Sequence, residues 1–164
     1  MKMKSLHDLY VEQLKDLYNA ETQITKALPK MAKAASSPQL QQAYHQHMDQ
    51  TKGQMDRLKQ IFEELGKSPT GKKCVGMEGI IKEGDELLDG NVDPDVLDAG
   101  LIGAAQKVEH YEICGYGTAR TYAQRLGYDK AARVLQQILD EEKQTDAKLT
   151  ALAESGINVQ AKNQ

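Results

Sequence analysis

Leu14, Leu17, Glu21, Ile24, Leu28, Met31 and Ala35 follow one another in alternating steps of three and four residues. That spacing lines side chains along one seam of an α-helix. It predicts a first helix over about 5–35, capped by Ser5 or Asp8 and kinked near Thr25 to Pro29, where proline removes a backbone hydrogen bond. Ser37 then caps and Pro38 opens a second helix over about 38–65, with Leu40, Tyr44, His47, Thr51, Gln54, Leu58, Ile61 and Leu65 on its seam. Its middle is polar and its ends are apolar. After "GKSPTGKK", the stretch "CVGMEGIIKEGDELL" predicts a short crossover helix over about 74–89. A third long helix, about 94–126, turns Ile102, Ala105, Glu109, Glu112, Tyr116, Ala119 and Ala123 inward and stops at Gly127. The fourth, about 129–154, carries Leu135, Leu139, Glu142, Asp146, Leu149 and Ala153, and the tail "SGINVQAKNQ" reads as frayed.

Two helical hairpins with short turns, joined by a longer connection that has a small helix of its own, describe an all-α, ferritin-like four-helix bundle. Length agrees with that, since 164 residues suffice for one domain with a real core and hardly for two, so 1–164 reads as a single domain. One Phe, no Trp and four Pro in a chain that is 40% hydrophobic suit a core of Leu, Ile, Ala, Met and Tyr.

Charge narrows the partners. The net charge of −3 comes from 21 basic and 24 acidic residues mixed along the chain, which leaves no footprint for nucleic acid or an anionic membrane. No apolar run approaches the roughly 18 residues that would span a bilayer. Cys74 and Cys114 lack metal-type spacing, so the expectation is free thiols in a reducing cytoplasm. "GKSPTGKK" resembles a P-loop but ends in Lys73 rather than Ser or Thr and follows a helix rather than a strand, which argues against an ATP site. Around Met77, Ile80, Ile81 and Leu87 the crossover offers an apolar surface that would suit a second copy of the chain, a homodimer.

Counting from the turns locates the chemistry. Glu112 lies 15 residues before Gly127 and Glu142 lies 15 after it, so in an antiparallel pair they face each other about 22 Å from the turn at 1.5 Å per residue. Glu109 and Asp146 match one helical turn further on, and Glu21, 16 residues before Ser37, comes level with Gln50 to Gln54. One acid alone could sit on the rim of its apolar stripe with its head in water. Several at one level would repel each other and lose hydration, which leaves protonation or a bound cation as the remedies. Glu21, Glu109, Glu112, Glu142, Asp146 and Gln54 are therefore the candidate ligands of a two-metal centre, in which carboxylates bridge cations about 3.5 to 4 Å apart. Their hard oxygens suit iron or manganese, and also magnesium or calcium. His47, a single inward His, serves equally well as a hydrogen-bonded core residue or a ligand. Tyr18, Tyr44 and Tyr116 lie near the layer as possible carboxylate partners or as core filling, and His45 and Asp49 fall on the outer face.

"LYNAETQITKALPKMAKAA", "GKKCVGMEGIIKEGDEL", "AAQKVEHYEICGYGTAR" and "LDEEKQTDAKLTALA" resemble the YciE/YciF-type stress proteins of the ferritin-like superfamily, over nearly the whole chain. The resemblance implies a four-helix bundle, often a homodimer, with a di-iron or similar two-metal site. It matches Glu21 to the first-helix ligand of rubrerythrin-like sites, Glu109 and Glu112 to the E-x-x-E pair of the third helix, and Glu142 to the bridging acid of the fourth. Two departures stand out: there is no Glu-x-x-His, Asp146 taking the place of the histidine, and Gln50 stands where relatives often carry an acid. Two function classes follow. One is a di-metal oxidoreductase handling oxygen or peroxide; the other is a non-enzymatic stress or interaction protein whose polar layer sets helix register.

Overall fold

A computed structural model describes residues 3–163. Four long helices, α1 (Leu6–Ala34), α2 (Pro38–Glu64), α4 (Pro94–Arg125) and α5 (Asp129–Leu152), form the bundle, and α3 (Val75–Asp89) lies in the crossover. The all-α ferritin-like reading holds, with the expected boundaries matched to within two residues. Among the described residues no helix is long and apolar enough to cross a membrane.

Each start and stop has a local cause. The Ser5 and Ser37 hydroxyls accept from Asp8 N–H and Leu40 N–H, the Asp93 carboxylate accepts from Asp95 N–H, and Pro38 and Pro94 open α2 and α4, where a missing donor costs nothing. Gly66 and Gly127 hold φ of 62° and 77°. At each, the following residue's N–H reaches back over the last turn (Lys67 to Phe62 O, Tyr128 to Ala123 O), the bond that closes a glycine-terminated helix. α1 runs unbroken through Pro29 to Ala34.

Two apolar clusters fill the bundle. One contains Ile24, Leu28, Leu40, Tyr44, Leu101, Ile102 and Leu149, the other Leu14, Leu17, Leu58, Phe62, Tyr116, Leu135 and Leu139. Every long helix passes from one to the other through buried polar residues: Glu21 on α1, His47, Thr51 and Gln54 on α2, Glu109 and Glu112 on α4, and Glu142 on α5. Burying a leucine is worth about 1.5–3 kcal/mol, so the two clusters hold the polar layer in place between them. Gly115 lets α1 close on α4 beside this layer, since a Cβ there would lie 2.6 Å from Leu17 Cδ2.

Two expectations need correction. Within the described residues the tail is helix, not frayed: Ala153–Ile157 forms one π turn, Asn158 N–H donating to Ala153 O, and α6 (Asn158–Lys162) follows, while Gln164 lies outside the described residues. The wider turn accompanies burial of both Ala153 and Ile157 on the bundle. Nor does the crossover present the apolar surface expected of it. Met77 is fully buried, while Ile80, Ile81 and Leu87 are half-buried, because α3 turns this face toward the bundle. Cys74 anchors that helix. Its Sγ caps Met77 N–H and lies 2.9 Å from Tyr111 Oη, and its own N–H donates to Asn19 Oδ1 at 2.7 Å.

Candidate metal centre

The polar layer brings one ligand atom from each of His47, Glu109, Glu112 and Glu142 within 4.8 Å of one another, and all four residues are buried. Glu109 and Glu112 share a face because three helical residues return to nearly the same side. His47 Nδ1 lies 3.0 Å from Glu109 Oε1. Glu21 adjoins the group and accepts a hydrogen bond from the Tyr116 hydroxyl. The Gln54 amide donates to Glu142 and, at 3.1 Å, to Glu141 Oε2, which the Arg57 guanidinium holds at 2.6 Å.

These groups are close but poorly satisfied. Neither oxygen of Glu112 has a hydrogen-bond partner, and Oε2 of Glu21, Glu109 and Glu142, together with His47 Nε2, are also without one. An unmet buried acceptor costs about 1–3 kcal/mol, more if charged. The electrostatics follow. Burial first, then the field of Glu142, pushes the Glu21 carboxyl up to about 8. Burial likewise takes Glu109 up to about 8, with Glu21 and Asp146 adding to it. Burial and then Glu21, Glu142 and Glu109 hold Glu112 well above the ordinary carboxyl range; burial and then Glu109 do the same for Glu142. Glu141 differs: burial pushes it up, but bonds from Arg57 and Gln54 outweigh that and leave it lowered.

Five of the six residues singled out from the sequence, Glu21, Gln54, Glu109, Glu112 and Glu142, lie within the layer, each at most 1% exposed. Asp146 does not join them. Its side chain is at the rim, 3.2 Å from His110 Nε2 and 3.1 Å from Gln106 Nε2. Asp146 stands one helical turn beyond Glu142, and its side chain, one carbon shorter than a glutamate's, ends at the rim where Gln106 and His110 take it up. His47, left undecided by the sequence, faces Glu109 and supplies an imidazole from α2 in the absence of a Glu-x-x-His. Glu141 and Arg57 escaped notice because both lie off the seam; the run "DEEK" beside Glu142 was the available signal. Tyr116 bonds a carboxylate, Tyr18 packs against Phe62, and His45 and Asp49 are exposed, as expected for the outer face.

The donor set fits a divalent transition ion: several carboxylate oxygens and one imidazole, aimed together and lacking other partners. Comparison with known proteins then supplies the lineage. A family model described as "Domain of unknown function (DUF892)" matches residues 5–162. The chain belongs to the DUF892 family. It is 48% identical to Protein YciF of Escherichia coli (strain K12) over 164 residues, 99% of each protein. The crystal structure of that E. coli stress protein matches with a TM-score of 0.91, covering 95% of this chain and 99% of the other. YcfI of Rhodopseudomonas palustris, 44% identical, matches at a TM-score of 0.88 over 91% of this chain and 95% of its own. A protein of Xanthomonas campestris pv. campestris, 21% identical with a TM-score of 0.79 over 97% of both chains, shares the fold. This DUF892 member is thus a homologue of the YciF stress protein.

Proposed function

We propose that this protein is a stress-related metalloprotein holding iron or manganese in its carboxylate layer and handling oxygen or peroxide there. The observation that carries the reading is Glu112, a fully buried carboxyl with two unpartnered oxygens among three other acids. Glu112 and Glu142, with Glu109 and the adjoining Glu21, would hold the ions, and His47 would supply the single imidazole. Tyr116 and Gln54 fix the orientation of Glu21 and Glu142 through their hydrogen bonds. The flanking apolar clusters keep bulk water from the layer. Bound iron or manganese would supply one-electron redox chemistry that no side chain here offers.

Metal analysis tests this. The protein should carry iron or manganese after growth with both in ample supply, and Glu112→Gln should carry less. Equal metal in the two proteins, or none in either, would falsify the reading. A second reading has its own support, in the bonds of Tyr116 to Glu21, Gln54 to Glu142 and His47 to Glu109. Under it the layer is metal-free and sets helix register, and Glu112→Gln leaves metal content unchanged. The unpaired Cys74 and Cys114 are compatible with a reducing cytoplasm. A homodimer is proposed on the family resemblance alone; sedimentation showing only monomer at high concentration would remove it.

A further inference from the structure

Every unpartnered polar atom of the layer is shut off from solvent, the Thr51 hydroxyl and both Glu112 oxygens among them. Nothing reaches these groups unless helices move apart. Where they part follows from what joins them. Turns tie α1 to α2 and α4 to α5, and Leu17 closes α1 on α4 over Gly115 while α3 covers that side. α2 and α5 have neither tie. At the level of the layer they are spanned by side-chain bonds, from Lys148 to Gln46, from Thr145 to Gln50 at 3.4 Å and from Gln54 to Glu141 at 3.1 Å. Beside the layer lies a partly open, mainly apolar pocket, and the exposed residues of its lining, Gln46, Gln144 and Lys148, all belong to α2 and α5. Its mouth is on the same seam.

Water can replace a half-exposed side-chain bond on both partners, so breaking one costs little, whereas parting apolar side chains exposes surface with no such replacement. The easiest opening is therefore between α2 and α5. We propose that this seam is a gate, at which α2 and α5 separate transiently and admit small hydrophilic solutes to the carboxylate layer. The side-chain bonds act as rungs that set how often it opens, and the apolar cluster around Leu58, Leu135 and Ile138 keeps the two helices together beyond them. The amides of Gln50 and Gln54 and the carboxylate of Glu141, once freed, line the way in, which suits a hydrated divalent cation better than an apolar molecule. Entry of a cation rests on the metal reading; the opening itself is tested without metal, so the two can fail separately.

The test is thiol labelling of the chelated full chain carrying Thr51→Cys and Cys114→Ser, with the neutral reagent dithiodipyridine. Thr51→Cys puts a thiol in the closed layer at nearly unchanged size, and the native Cys74, buried and bonded to Asn19 on α1 and Tyr111 on α4, reports on openings elsewhere. The thiol at position 51 should label about tenfold faster than Cys74, or more. Adding Thr145→Ala and Lys148→Ala removes two rungs and should speed position 51 about fivefold while leaving Cys74 unchanged. Lys107→Ala, which removes an exposed ion pair between α3 and α4, should change neither rate. Circular dichroism checks folding; if Thr51→Cys does not fold, Val108→Cys on the inner wall of the pocket takes its place with the same expectations. Labelling at the probe no faster than at Cys74, a rate unmoved by loss of the two rungs, an equal acceleration of Cys74, or the same gain from Lys107→Ala would each overturn the gate.

Discussion

Asp98 and Glu112 are both buried carboxyls on α4, four helical turns apart, and their surroundings are opposite. Asp98 accepts two backbone hydrogen bonds at 2.7 Å, from Ser36 N–H and Ser37 N–H, and so closes the turn between α1 and α2. Glu112 accepts none and faces other acids. Burial is the same to within 3% exposure, so burial alone does not separate a structural acid from a candidate ligand. The difference lies in whether the oxygens have been given donors by the fold itself.

The largest expected effect is on the pH dependence of the chelated protein. With Glu21 and Glu109 near 8 in the folded chain, against about 4.5 unfolded, the folded state keeps protons that the unfolded state has released. Their contribution is complete below about pH 4.5 and is lost as pH rises through 8, so stability should fall by several kcal/mol across that window. Bound manganese should remove the fall, because the ion takes the place of the protons. Thermal melts from pH 5 to 8 check both profiles; a flat chelated profile would show that the layer is not crowded with acid.

Asp98→Ala comes next, with about 2–3 kcal/mol lost in urea denaturation as two turn N–H groups lose their acceptor. The loss should be the same with and without manganese. Glu112→Gln should do the reverse in chelated protein at pH 7.5, raising stability by about 1–2 kcal/mol, while melting below the parent when manganese is present. If both substitutions destabilise the chelated protein alike, the contrast between the two acids collapses. Smallest is Arg57→Ala, which frees Glu141 at a partly exposed ion pair and should cost about 0.5–1 kcal/mol. A metal titration would then show whether Glu141 steadies Glu142 through Gln54: the variant should bind manganese more weakly than the parent.

The bundle and four of its inward acids were legible because a helix seam repeats with fixed period and Gly127 gives an origin for counting. Glu21, Glu109, Glu112 and Glu142 came out buried for that reason. Asp146 was misplaced by the same counting, which matches heights along two helices but neglects the reach of a shorter side chain. His47 could not be resolved because an imidazole on an apolar face satisfies both readings until its neighbour, Glu109, is known. The tail and crossover were misread because both depend on tertiary packing: Ile157 is buried after a π turn that departs from the helical period, and Met77 faces inward because Cys74 is tied to α1 and α4.

The glycine-closed turn at Gly127 means that this candidate centre is written into the chain as length more than as a local motif. Glu112 and Glu142 are separated by 30 residues and meet only because the two arms from the turn are equal. One residue inserted within either arm rotates everything beyond it by about 100° and moves it 1.5 Å, so a carboxylate would swing off the seam while its neighbours in sequence stay unchanged. Insertions at the turn itself leave both arms intact. In descendants of this chain, deletions and insertions should therefore collect at the helix connections and be purged from the arms, even where substitutions on the outer faces of those arms accumulate freely.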